Sequence, residues 1–181
     1  MLAWFALTAI ALAPMPRAIE QDCGLFYADS SSAWLAAPEG WLLDCKAGRD
    51  QGAIVVLYRK GESWKTGKAV MYANIARNDG AKRLTVSDAI SGDSSSWSKN
   101  SSDVVVTVRP SLRTKGGDSA AVRGFSTAKF KDYEAVAYIP CESGVWLLVL
   151  TARSPSDFDA AYPDFAKLVA SYAPGPVVKQ Q

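Results

Sequence analysis

Trp146-Leu147-Leu148-Val149-Leu150 (WLLVL) is the stretch on which the fold turns. A strand with one wet face alternates apolar and polar residues; a short, unbroken apolar run suits a strand buried on both faces. The reading widens to Gly144–Ala152 as the whole strand. Upstream, Tyr133–Ile139 (YEAVAYI) and Ala121–Phe130 read as two further strands. Lys131-Asp132 and Pro140-Cys141-Glu142-Ser143 are the turns, so the three strands are expected to be consecutive and antiparallel. A central strand covered on both sides needs a layer on each face. The expected fold class is therefore α+β, an α/β/α sandwich around a mostly antiparallel sheet.

The helices supply those layers. Phe158, Tyr162, Phe165, Val169 and Tyr172 recur at helical spacing and predict a helix from Ser156 to Tyr172, kinked or divided at Pro163. Thr85-Val86-Ser87-Asp88 resembles a capping box and predicts a helix from Thr85 to about Ser98. Earlier strands are expected at Gly24–Ala28, Trp41–Cys45, Ala53–Arg59 and Ala69–Arg77, and a later one at Asp103–Arg109, ended by Pro110. Ser30–Gly40 reads as a small-residue connection with Trp34 and Leu35 tucked inward.

The chain has 181 residues, 49% hydrophobic and 21% charged, and contains no histidine. The missing side chain is the one most used for acid–base chemistry and metal binding near neutral pH. The formal charge of +2 gives no electrostatic reason to expect nucleic acid or an anionic membrane surface. Leu2–Ala13 (LAWFALTAIALA) is too short to span a bilayer and suits the apolar core of a secretory signal. The expected organisation is a leader over residues 1–18, one globular domain over 19–173 and a tail over 174–181. No integral membrane span is expected once the leader is removed, and the location is periplasmic or secreted.

Export makes the cysteines candidates for pairing. Pairing Phe26 with Leu42 in antiparallel strands would set Cys23 opposite Cys45 and leave Cys141 as a spare thiol. The rival bond is Cys45 to Cys141, and the remaining alternatives are no bond or an intermolecular one.

Other motifs favour bland roles. Gly61–Lys68 (GESWKTGK) has the wrong spacing for a phosphate-binding loop and precedes a strand, so it reads as a hairpin loop. Asp157, Asp159 and Asp164 lack the glycine turn and distal glutamate of a calcium loop; they suit a helix N-terminus. Ser94, Ser95, Ser96, Ser126 and Ser154 lie in no nucleophile motif. No cofactor and no metal ligand set is expected. Trp34, Trp64 and Trp97 fall in connections by this reading and are the candidate binding surface.

Pro38-Glu39-Gly40-Trp41 opening a strand, Val70-Met71-Tyr72-Ala73-Asn74, and the ending Tyr133–Tyr138, Trp146–Ser154, Phe165–Tyr172 together resemble the Mog1/PsbP-like superfamily. The resemblance spans about Pro38 to Tyr172. It implies a fold and no site, since members of that superfamily do unrelated things.

The function expected is non-enzymatic: an exported module that binds a protein partner or packs into a cell-envelope assembly. One alternative is an inhibitor or immunity-type protein plugging a partner's active site through a projecting loop, Gly61–Lys68 or Arg113–Ser119. Another is a carboxylate-based hydrolase. A pocket holding two carboxylates would favour the last.

Overall fold

Gly144–Ala152 lies at the middle of a seven-stranded antiparallel sheet, as its apolar run requires. The computed structural model describes residues 23–28, 31–80, 82–128 and 132–176. The expected leader, residues 1–18, and positions 177–181 of the expected tail lie outside the described residues. The elements run β1 (Cys23–Ala28), β2 (Ser31–Ala36), β3 (Trp41–Asp44), α1 (Cys45–Asp50), β4 (Val55–Arg59), β5 (Ala69–Arg77) and α2 (Val86–Asn100). They continue with β6 (Val105–Arg113), β7 (Ser119–Thr127), β8 (Asp132–Cys141), β9 (Gly144–Ala152), α3 (Pro155–Ser171) and β10 (Ala173–Pro174).

The large sheet has the order β3-β4-β5-β9-β8-β7-β6, and a small sheet has the order β1-β2-β10. Alternation along β9 sends Trp146, Leu148 and Leu150 into the core under α3 and the small sheet. Val145 and Val149 enter a second core under α2. The fold is α+β, with a layer on each face of the central sheet. Gly144 opens β9 at a positive φ of 143°, where an added Cβ would run into the backbone of Ala76 on β5.

α2 begins as its capping box predicts. Asp88 N–H donates to Thr85 Oγ1 across 3.1 Å, and Thr85 N–H donates to the Asp88 carboxylate across 3.0 Å. α3 starts one residue earlier than expected, with Ser154 as its cap, and runs unbroken through Pro163 to Ser171. Phe165, Leu168 and Val169 on its inner face are fully buried.

Four expectations need correction. Ser31–Ala36 is a strand, paired on one side with β1 and on the other with β10. Its alternation buries Leu35 but leaves Trp34 48% exposed, so Trp34 is not tucked inward. Cys45 begins helix α1 instead of ending a strand, because Asp44 caps the turn by accepting from Ala47 N–H at 2.8 Å. β6 passes through Pro110, with a register shift between Arg109 and Leu112; a proline is tolerated there because β6 is an edge strand.

The fourth correction concerns the cysteines. β1 pairs with β2, so Phe26 faces Ala33 rather than Leu42, and Cys23 faces Ala36. β3 belongs to the other sheet. Cys45 and Cys141 are free thiols, so neither the Cys23–Cys45 bond nor the Cys45–Cys141 bond is present. The Cys23 side chain lies outside the described residues.

Candidate functional site

The large sheet ends very differently on its two sides. β3 is a four-residue edge with half its residues buried. Its Trp41 is completely buried and donates its indole N–H to Asp164 of α3. β6 is a nine-residue edge and pairs, among the described residues, with β7 alone. Val105, Val106 and Val108 are 56%, 41% and 78% exposed. Natural sheets usually defend such an edge with lysine, proline or a bulge. Here Pro110 and the register shift after Arg109 defend the C-terminal half, while Val105–Arg109 stays open.

The two faces of this open stretch carry different chemistry. Val106 and Val108 point to the α2 side, opposite Phe125 and Arg123 of β7. Val105, Thr107 and Arg109 point to the α3 side, opposite Ser126, Gly124 and Val122. The Arg109 guanidinium lies 4.9 Å from the Phe158 ring centre and 4.7 Å from that of Tyr162, both on α3.

Further into the sheet, α2 covers a cavity of about 300 Å³. Tyr72, Asp93, Trp97 and Glu134 line it, over a floor of Val136, Leu147 and Val149. Two carboxyl groups thus share one partly apolar space. Burial pushes the Asp93 carboxyl above its ordinary range, against the opposing effect of the Tyr138 hydroxyl, which donates to it across 2.8 Å. Burial, then the charges of Asp93 and Asp132, push Glu134 up to about 8, although a hydrogen bond from Trp97 opposes the shift. Near neutral pH Glu134 therefore holds a proton. Burial also raises the Tyr72 hydroxyl, with the two nearby carboxyls adding to it. Such a cavity can donate a proton or take up a positive charge.

The three candidate tryptophans do not form one surface. Trp34 lies on the exposed face of the small sheet, cross-strand from Leu25, with exposed Tyr27 further along β1. Trp64 sits in the β4–β5 connection and packs edge-on to Tyr72 at 6.0 Å. Trp97 is on helix α2, not in a connection, and stacks on Phe125 at 5.6 Å with an 8° tilt. Trp97 lines the cavity directly and Trp64 braces one of its walls.

The other sequence motifs take structural places. In Gly61–Lys68, Ser63 and Thr66 bond to one another at 2.9 Å and close the loop on itself. Arg113–Ser119 is tied back to the end of α3, through Lys115 N–H to Ala170 and Gly116 N–H to Tyr172. Asp157 accepts from the Ser154 hydroxyl at the start of α3. Asp164 holds Arg59 at 3.1 Å and Lys167 at 2.9 Å. Asp159 is exposed near Arg109. The three carboxylates are thus spread over different tasks.

Arg109, Asp93 and Glu134 were not among the sequence candidates. Signals for them existed. Glu134 is a charge inside YEAVAY, on a strand whose neighbours are apolar. Asp93 stands four residues from both Ala89 and Trp97, which places it on the inner face of α2.

The sequence matches no family model and no curated protein. One solved structure to which the chain is similar is the solution structure of cyanobacterial PsbP (CyanoP) from Synechocystis sp. PCC 6803. The TM-score is 0.48 and the identity 12%, over 88% of this chain and 96% of that one. Among the described residues no helix is long and apolar enough to cross a membrane.

Proposed function

We propose that this chain is a non-catalytic protein-binding module of the periplasm or cell envelope, and that it takes an extended segment of a partner protein as an added strand on β6. The observation that carries the reading is the open edge Val105–Arg109 with its three exposed valines. In strand addition the main chain gives affinity and the alternating side chains give specificity. Burying a valine side chain is worth about 1.5–3 kcal/mol, and each net main-chain hydrogen bond about 0.5–1.5 kcal/mol. Three part-exposed valines and two or three bonds set these gains against the cost of ordering a short peptide. Export rests on the apolar run Leu2–Ala13. The plug-type inhibitor has less support, because both loops that would project are bonded back to themselves or to α3.

The test is a photo-crosslinking amino acid placed at Val108 in the full chain, in its native cell. A discrete adduct is expected from position 108, absent when the crosslinker is at exposed Asp50 on α1, and lost when Val106→Lys is added. Equal labelling from both positions would rule the edge out.

A second reading is carried by the cavity. Asp93 and Glu134 in one space, the latter protonated near neutrality, fit carboxylate-based hydrolysis with Glu134 as the proton donor. At about 300 Å³ the cavity is at the small end of ligand pockets. A panel of chromogenic glycosides and esters between pH 4 and 9 tests it. Turnover lost in Glu134→Gln would favour this reading, and none above background would remove it.

A further inference from the structure

Arg109 carries a fork of N–H donors that the fold holds still. Its guanidinium is clamped by the Phe158 and Tyr162 rings, at 4.9 Å and 4.7 Å. Its Nε is buried and, among the described residues, has no hydrogen-bond partner. Among the described residues no carboxylate forms an ion pair with it. A buried donor left unpaired is costly, so such a group calls for a partner.

The space in front of Arg109 is built. Gly124 on β7 faces Thr107, and a Cβ there would stand 2.9 Å from Arg109 Nε and 2.5 Å from Thr107 Oγ1. The glycine lets Thr107 and Arg109 lie close over β7, where they form one wall of a notch. The cavity at this place measures about 150 Å³ and is bordered by Thr107, Ser126, Tyr133 and Asp159, with Pro155 in the first turn of α3. That volume suits one carboxylate or phosphate group and little more. A guanidinium pre-set in a plane binds such a group through two parallel N–H bonds, and the Thr107 and Ser126 hydroxyls are placed to supply others.

We propose that this notch is an anion-binding site, and that its occupant is a carboxylate carried by the segment docked on β6. The inference rests on the strand-addition reading and adds the chemistry of the partner. Arg109 and Thr107 alternate with Val106 and Val108 along the same open edge, so an added strand that covers the valines sends its other side chains over the notch. The partner is thus an extended segment with apolar residues on one face and an acidic side chain, or its own terminal carboxylate, on the other. Asp159 at the rim opposes this. It is solvent-exposed, so water and salt screen its repulsion, whereas the Arg109 fork faces a partly enclosed cavity.

The test titrates the full chain with four probes: acetate, inorganic phosphate, a blocked alternating Val/Thr hexapeptide containing one glutamate, and its glutamine twin. The readouts are the NMR signal of Arg109 Nε–H and the backbone amides of Val105–Arg109. The glutamate peptide is expected to bind about tenfold more tightly than its twin and to shift Arg109 Nε–H. Arg109→Lys, which keeps the charge but loses the fork, should remove most of that preference, and Asp159→Asn should increase it. Gly124→Ala, whose Cβ would push Thr107 Oγ1 and Arg109 Nε out of their places, should also abolish it; circular dichroism confirms that each variant is folded. Equal binding of both peptides overturns the anion site and leaves strand addition standing. A shift of Nε–H with acetate or phosphate, and with neither peptide, overturns the docked carboxylate together with strand addition. No response to any probe overturns both.

Discussion

Trp41 Nε1–H donates to Asp164 Oδ2 across 3.0 Å, and this bond fastens the first strand of the large sheet to its last helix, 123 residues on. Arg59 from β4 reaches the same oxygen at 3.1 Å and lies over the Trp41 ring at 4.9 Å. Lys167 holds the other oxygen. Trp41 is completely buried, so its indole N–H has no water to turn to. Asp164→Ala is expected to cost about 1–3 kcal/mol, mostly from the stranded indole donor. Urea denaturation measures it; Lys167→Ala, which removes only an exposed partner, should cost well under 1 kcal/mol.

The same carboxylate sets an acid-side dependence. Burial alone would raise Asp164, but the bonds from Lys167 and Trp41 and the charges of Lys167 and Arg59 outweigh it and hold the group below its ordinary value. The stabilisation it gives is present above the unfolded value and is lost as pH falls through the folded one. Asp164→Asn should therefore flatten the fall in melting temperature below about pH 4.

How much was legible follows from how local each signal was. The Thr85–Asp88 box could be read because its four residues decide their own geometry. The β7–β8–β9 meander could be read because its pairing is between neighbours in sequence. β2 could not: Ser31–Ala36 has no strand signature and becomes a strand because β1 and β10 flank it, β10 from the far end of the chain. That inserted strand also displaced the Cys23–Cys45 geometry. α1 was hidden because CKAGRD has no apolar period. Trp97 was visible as an aromatic, yet its pairing with Glu134 depends on how α2 lies over β8, which no local pattern encodes.

Pro110 is the natural guard of the β6 edge. Pro110→Val would return a donor and extend the open row toward Arg113. Concentration-dependent self-association is expected to rise, with the monomer less stable by about 0.4–1 kcal/mol because the unfolded chain gains freedom. Analytical ultracentrifugation across a hundredfold concentration range measures it. Unchanged sedimentation would mean that Pro110 does not defend this edge.

Phe165 anchors α3. It is fully buried, 5.8 Å from Tyr162, which in turn stacks against Arg109. Phe165→Ala is expected to cost about 3–5 kcal/mol. Because the Tyr162 wall of the notch leans on Phe165, a milder Phe165→Leu should also loosen Arg109, seen as narrowing of its Nε–H signal. A Phe165→Ala variant with the wild-type urea midpoint would contradict the packing described.

Glu134 gives the opposite pH dependence to Asp164. Burial, with the charges of Asp93 and Asp132 behind it, raises its folded value to about 8, against an ordinary value of 4.5 in the unfolded chain. The folded state therefore binds more protons than the unfolded state between these values. By linkage, stability is greatest below the unfolded value and declines as pH rises through the folded one. Each unit of difference is worth about 1.4 kcal/mol, so the decline across this window is on the order of a few kcal/mol. Glu134→Gln keeps the shape and cannot ionise. Its urea midpoint should be nearly flat from pH 5 to pH 9, while the wild type falls over the same range. Tyr138→Phe removes the hydrogen bond that favours the ionised form of Asp93, so the Asp93 carboxyl should titrate higher in that variant, read from its side-chain carbon shift. A wild-type midpoint that stays level between pH 5 and pH 9 would mean that Glu134 is solvated and that Trp97 does not close the cavity over it.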